Sequence, residues 1–321
     1  MAETKLEEAL SRLCQLTESN IFIGQNVAIG DRSVSLQSNS KEVLDSLLNL
    51  LGHLETTSPA THVLRVSILQ DKIRLPRIGP QGFLGEKISA YIDQPSASIV
   101  IANEIENITY VLARQNPFSF DRPDRARGVL QASASSQLVP IHGATVAWPE
   151  CAGILISAPG GSGKSSALAA SILEGALTTG DDFQLVGEVE KDGTFSCWSL
   201  FRSLRIVEGS LASGLLGQTP YLPFEGKLIY DLAAVAQGSL VKRLQIAKIV
   251  VPKFCDHNYL NPLDKSSAAR AIAPSSIGLA ANKARSLEVL LSLIDQIPTF
   301  EIGFTPDLSA NAHYLRKIGT R

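Results

Sequence analysis

The chain is sparing with several features, and each shortage narrows what it can do. It carries 4 cysteines in 321 residues, Cys14, Cys151, Cys197 and Cys255, widely separated and without a Cys-x-x-Cys pair. That spacing argues against a disulfide framework and against a zinc site, so reduced thiols in a cytoplasmic protein are the expectation. No apolar run approaches the roughly 20 residues that a membrane span requires. The opening Met-Ala-Glu-Thr-Lys-Leu-Glu-Glu is too charged for a signal peptide. Neither sign of charge is in excess: the net charge is -2 and the pI about 6.2. Nucleic acid and anionic membrane surfaces are therefore not expected partners. There is no internal repeat and no low-complexity tract.

What remains is an ordinary globular composition, 45% hydrophobic and 19% charged, which fits a folded soluble protein with a sizeable core. A chain of this length is expected to form two domains. Thr4 and Glu7 have capping-box spacing, and Leu6, Leu10 and Leu13 share a helical face. Strand-like segments follow at 21–29 and 33–37. Ser40 is placed to cap a helix whose Leu44, Leu47, Leu48 and Leu51 fall in register. Residues 62–69, 98–102 and 108–113 read as strands, the last two as a hairpin. The turn-rich Asn116-Pro-Phe-Ser-Phe-Asp-Arg-Pro123 marks the expected boundary. These signals predict a smaller α+β domain over 1–118 and a second domain over 119–321.

In the second part, a helix is predicted at 125–135 and a strand at 139–146. Alternation within 195–206 and 245–251 predicts further strands. Leu287, Leu290, Leu291 and Ile294 mark an amphipathic helix stopped by Pro298, and 305–318 reads as a terminal helix with Pro306 in its first turn. Strands outnumber helices around the centre of this part, so the expected fold is mixed α/β, built on a mixed sheet.

The chemistry concentrates after Gly153-Ile154-Leu155-Ile156, which reads as a buried strand. It leads into Ala158-Pro-Gly-Gly-Ser-Gly-Lys-Ser165, a phosphate-binding P-loop (Walker A) pattern with alanine in place of the first glycine. Small residues are needed because backbone N–H groups must turn inward onto phosphate oxygens without a Cβ in the way. Ala158, Pro159, Gly160, Gly161, Ser162 and Gly163 would form that cradle, and Lys164, Ser165 and Ser166 would open the helix behind it. Lys164 reaches the outer phosphates as a point charge, Ser165 offers a hydroxyl to Mg²⁺, and the helix N-terminus faces the anion. The apolar Ala167, Leu168, Ile172 and Leu173 continue the helix.

Asp181 and Asp182 follow Lys164 by 17 and 18 positions, at the expected end of the strand that returns after that helix. One carboxylate would hold Mg²⁺ and the other would accept the proton of an attacking hydroxyl. Spacing does not decide which does which; Ser165 and Asp182 are the candidate metal ligands. His142, followed by Gly143 on the strand before the loop strand, is a further candidate.

His142-Gly143, the loop and Gly180-Asp181-Asp182 together resemble the catalytic core of the HPr kinase/phosphorylase family and its wider group of kinases, whose fold is similar to that of phosphoenolpyruvate carboxykinase. The similarity covers roughly 139–188. It extends weakly to Phe201-Arg-Ser-Leu-Arg205 and Ile249-Val-Val-Pro-Lys-Phe254. The Arg-Gly-Leu-Gly stretch of the phosphorolytic members is missing, and Val207-Glu-Gly-Ser-Leu211 does not match it. The resemblance therefore implies a divergent kinase that uses ATP and Mg²⁺, and it does not imply HPr as substrate. Its acceptor would be a hydroxyl, of a serine or threonine in a peptide or protein, or of a small molecule. Asp181, Asp182, His142 and Lys164 are the catalytic candidates this implies. Arg202 and Arg205 are candidates to neutralise transferring phosphate, with Lys242 and Arg243 weaker. Self-association is implied by the resemblance alone. The other function the sequence allows is a nucleotide-gated binding or assembly protein with slow hydrolysis. The loop does not distinguish ATP from GTP.

Overall fold

The structure is a computed structural model. It describes the chain except for residues 1, 16–20, 71–72, 74–77, 79–82, 86–87, 94–96, 119–125, 134–137, 150, 189–193, 218–219, 221, 225, 279–282 and 321. The chain divides into two compact units, Met1–Ser135 and Ser136–Arg321.

The first unit contains α1 (Ala2–Gln15), β1 (Phe22–Ile29), β2 (Arg32–Ser38), α2 (Lys41–Leu51), β3 (His62–Ile68), β4 (Phe83–Leu84), β5 (Ile88–Asp93), β6 (Ser98–Asn103), β7 (Ile108–Ala113) and α3 (Arg127–Ser133). They build one sheet in the order β1-β2-β3-β7-β6-β5-β4. β2, α2 and β3 form a parallel crossover, β3 and β7 are also parallel, and β6–β7 is the expected hairpin. Ser40 caps α2, accepting from the N–H of Val43 at 3.4 Å. The cap lets Val43, Leu44, Leu47, Leu50 and Leu51 turn inward together. α1 already begins at Ala2, so Thr4 lies inside the helix and not at its cap. Its Leu10 and Leu13 pack against Ile99, Ile101, Tyr110 and Leu112 of the sheet.

The boundary falls later than the turn-rich segment suggests, and that segment lies mostly outside the described residues. The reason is α3. Gly128 sits where a Cβ would run into Val111 of β7, so a glycine lets this short helix lie directly on the first sheet. It belongs to the first unit, not to the second.

The second unit contains β8 (Val139–Val146), β9 (Gly153–Ser157), α4 (Lys164–Leu173), β10 (Phe183–Glu188), β11 (Phe195–Trp198), β12 (Ser203–Val207), α5 (Leu211–Leu215), β13 (Leu222–Phe224), β14 (Lys227–Asp231), α6 (Leu232–Val235), β15 (Arg243–Phe254), β16 (Leu260–Pro262), α7 (Lys265–Ile277), α8 (Lys283–Gln296), β17 (Thr299–Phe304) and α9 (Leu308–Gly319). The main sheet runs β11-β10-β8-β9-β15-β17-β16, and β11 pairs again with the start of β15. It is mixed: β9, β15 and β17 are parallel neighbours, whereas β8 is antiparallel to both β9 and β10.

Side chains alternate across β9, so its residues serve both faces of the sheet. Ile154 and Ile156 pack with Leu168 and Ile172 of α4, Leu315 of α9 and Leu204 of β12. Leu155 points the other way, into a cluster with Ile272 of α7 and Leu290 and Leu293 of α8. A strand buried on both faces and anchored between two helical layers makes a rigid base for the loop at its end.

Two expectations shift here. In α8 the buried face runs through Ser286, Val289, Leu290, Leu293 and Ile294, while Leu287 and Leu291 are 38% and 46% exposed. Leu290 and Ile294 are buried as expected, and the buried face is completed by Val289 and Leu293 in place of Leu287 and Leu291. In α9 the cap is Asp307, which accepts from the N–H of Ala310 at 2.9 Å, so Pro306 precedes the helix.

Candidate active site

β9 ends at Ser157 and the chain turns through 158–163 into α4. Gly161 and Gly163 adopt φ of +79° and +89°, a left-handed conformation that side chains with a Cβ pay to enter. Gly163 is the N-cap of α4. Above Gly160 and Gly161 a Cβ would meet nothing within 4 Å, so the arch of the loop stays open. Lys164 is nonetheless buried, at 5% exposure. Its ammonium donates to the carbonyls of Ala158 at 2.8 Å and Pro159 at 2.9 Å, leaving one of its three N–H bonds for a ligand. Burial pulls its pKa down, against the charges of Asp181 and Asp182, which push it up.

The aspartates do not end a returning strand. Leu177 and Thr178 make only isolated bridges, to Ala147 and Leu240, the chain then turns through 179–182, and β10 begins only at Phe183. Gly180 (φ +131°) and Asp182 (φ +69°) interrupt extended backbone there. A buried hydroxyl network holds the turn: Thr179 N–H donates to Thr145 Oγ1 at 2.8 Å, and Gly180 N–H to Thr178 Oγ1 at 2.9 Å. The N–H of Gly143 reaches the Asp182 carbonyl at 3.1 Å, tying the turn to β8. A Cβ on Gly180 would lie 2.7 Å from the carbonyl oxygen of Phe201. Gly180→Ala is therefore expected to lower stability by about 2–4 kcal/mol through backbone strain and overlap. Chemical denaturation checks this; an unchanged midpoint would contradict the tight fit.

The turn points the two carboxylates in different directions. Asp181 is 1% exposed. One of its oxygens accepts from Ser165 Oγ at 3.0 Å and the other from the backbone N–H of Arg205 at 3.1 Å. Burial, reinforced by the charge of Asp182, pushes its carboxyl up to about 6. Asp182 meets His142 Nε2 at 3.0 Å and Arg205 Nη1 at 3.2 Å, one on each oxygen. Burial alone would raise its pKa, but the His142 hydrogen bond and charge together with Arg205 and Lys227 hold it below the ordinary carboxylate value. One aspartate is thus set to take up a proton or a cation, and the other stays ionised and fixed in orientation.

The structure therefore brings His142, the 158–165 loop, Lys164, Ser165, Asp181, Asp182 and Arg205 together. Ser165 stands beside Asp181 and not beside Asp182. Arg202 turns away and pairs with Asp231 at 3.3 Å. Arg243 sits over the Trp198 ring at 5.3 Å, and Lys242 lies next to it, at the opposite end of β15 from the loop. That separation is roughly 35 Å along a strand of this length. Lys227 was not singled out by sequence reasoning. It reaches the cluster because β14 pairs with β12 in a register that sets it opposite Val207, a placement with no local signal.

The donor set suits an anion and a hard cation. The Ser162 hydroxyl is buried and has no partner among the described residues, and the same holds for Arg205 Nε. Among the described residues, no three His, Cys, Asp or Glu side chains converge as a metal cluster. A cation here would have to draw on Ser165, one aspartate and oxygens of the ligand, which fits Mg²⁺ rather than zinc.

No protein-family profile matches the chain, and no curated relative is found by sequence. Among solved structures it is similar to the Hpr(Ser) kinase/phosphatase from Coxiella burnetii, with 15% identity, over 56% of this chain and 99% of that one, at a TM-score of 0.30. The relationship is distant. The chain is a mixed α/β protein, and among the described residues no helix is long and apolar enough to cross a membrane.

Proposed function

We propose that the second unit is a Mg-ATP-dependent phosphotransferase that moves the γ-phosphate to a hydroxyl, that of a serine or threonine in a peptide or protein. The observation that carries this reading is the joint placement of an open glycine loop, the Ser165–Asp181 contact at 3.0 Å and the His142–Asp182 contact at 3.0 Å.

The backbone N–H groups of the loop and the start of α4 would face the phosphates, with Lys164 on the outer pair. Ser165 and Asp181 would hold Mg²⁺, which would supply charge neutralisation for the phosphates. Asp182 would accept the hydroxyl proton. Both of its oxygens are already engaged, but each keeps a second lone pair, and His142 and Arg205 fix the carboxylate's direction. The unspent Nε–H of Arg205 would be a donor for charge building on the transferred group. Positioning and charge stabilisation would then supply most of the rate, as phosphoryl transfer needs little covalent help from the protein. Asp182 occupies a left-handed backbone position that asparagine also tolerates, so Asp182→Asn removes the charge while keeping the turn.

The test is an assay with γ-labelled ATP and Mg²⁺, offering the hydroxyl-bearing peptides and proteins encoded beside the gene. Label is expected on an acceptor side chain with wild type, and at least ~100-fold more slowly with Asp182→Asn. Label released only as inorganic phosphate, equally by both proteins, would favour a nucleotide-gated module instead.

A further inference from the structure

Phe254 ends β15 with 63% of its side chain exposed, although its neighbour across the register, Phe304, is 1% exposed. The ring is not stray. Its Cζ and Cε1 lie 3.2 Å and 3.4 Å from the position a Gly163 Cβ would take, so it leans on the glycine where the loop becomes α4. The backbone behind it is braced: Cys255 N–H donates to the Phe304 carbonyl at 2.9 Å, and Asn258 Nδ2 donates to the Gly303 carbonyl at 2.9 Å and to Asn311 Oδ1 at 2.8 Å. A phenylalanine on a braced strand end thus stands exposed beside the loop, with the edge of its ring toward Gly163.

The sheet order says what that face is for. β9 has two neighbours. On the side of β8 lie His142 and, just before β10, the aspartates, to which the separate sheet β12-β14-β13 brings Arg205. On the other side lies β15, ending in Phe254. A nucleotide whose outer phosphates face the aspartates must direct its base away from them, over the end of β15. We infer that Phe254 is the stacking platform for that nucleobase, an assignment that rests on the phosphotransferase reading of the same loop. Every base has a π-face, so such a platform adds affinity without choosing between bases. It is also the part of the nucleotide site that a phosphate loop cannot supply.

The experiment is calorimetric titration of the full chain, as wild type, Phe254→Ala and Phe254→Trp, with Mg-ATP and separately with Mg-tripolyphosphate, which lacks a base. Phe254→Ala is expected to weaken ATP roughly 5–100-fold and to leave tripolyphosphate unchanged. Phe254→Trp is expected to keep ATP affinity, and its added indole fluorescence should be quenched by ATP but not by tripolyphosphate. Equal ATP affinity in wild type and Phe254→Ala, with tripolyphosphate still bound, would overturn the base platform and spare the phosphate site. Wild type binding neither ligand would overturn both.

Discussion

Lys164→Met is expected to lose phosphoryl transfer by roughly 10²–10³-fold or more, the scale for removing one preorganised donor from developing charge. Methionine keeps most of the apolar stem that fills the buried channel to Ala158 and Pro159, so the loop should retain its shape. What disappears is the positive charge and its one uncommitted N–H bond. Because this charge also opposes the proton affinity of Asp181, the variant should shift the pH at which any residual activity rises towards higher values. Steady-state rates across pH, with circular dichroism as the control for folding, check both points. A fully active, normally folded Lys164→Met protein would remove the loop from the reaction.

Asp181→Asn is expected to be inactive and yet more stable than wild type at pH 7.5. The carboxyl titrates near 6 in the fold, against an ordinary 3.8, so the folded chain holds this proton more tightly than the unfolded one. The contribution of Asp181 to stability is therefore fully present below about pH 3.8 and is lost as the pH rises through 6. Above that range a buried, ionised Asp181 weakens the fold by an amount on the order of 2 kcal/mol. Asparagine escapes that cost: its oxygen can accept from the Arg205 N–H while its amide donates to Ser165 Oγ. The gain should shrink to nothing at pH 4. Denaturation midpoints at pH 7.5 and 4 together with a rate assay test this. Wild-type activity in the variant, or a loss of stability at pH 7.5, would contradict the role given to Asp181. Stability given up at a site that works is a common bargain.

How much of this was legible beforehand can be judged from particular residues. The loop was legible because it is contiguous: an apolar strand, glycines at positions that turn left-handed, and a lysine and serine opening a helix. His142 and the two aspartates were found by their distance from the loop, and the structure places them within hydrogen-bonding reach of one another or of Ser165. The division of labour between the aspartates was not legible. It depends on the left-handed Asp182, which turns neighbouring side chains to partners on different elements in a way that an extended strand end would not. Arg202 and Arg205 looked equivalent in sequence. Only the residue within β12 meets the acids, because strand structure stops between β11 and β12 at 199–202, where Arg202 pairs with Asp231 instead. Lys227 and Phe254 owe their places to strand pairing over distances that no local pattern reports. In the first unit, the Ser40 cap and the hairpin across 103–107 were local and came out as expected, while the placement of α3 hung on one glycine against Val111.

The proposed transfer requires the loop, Ser165 and Asp181 to form one site for a nucleoside triphosphate and Mg²⁺. The most direct measurement is equilibrium binding of ATP to the wild-type chain with Mg²⁺ and with the metal removed by chelator. The account predicts saturable one-to-one binding in Mg²⁺ that weakens at least ~10-fold without it, since two protein oxygens would then face the phosphates with no cation between them. Binding that is absent at millimolar ATP, or indifferent to Mg²⁺, would contradict it.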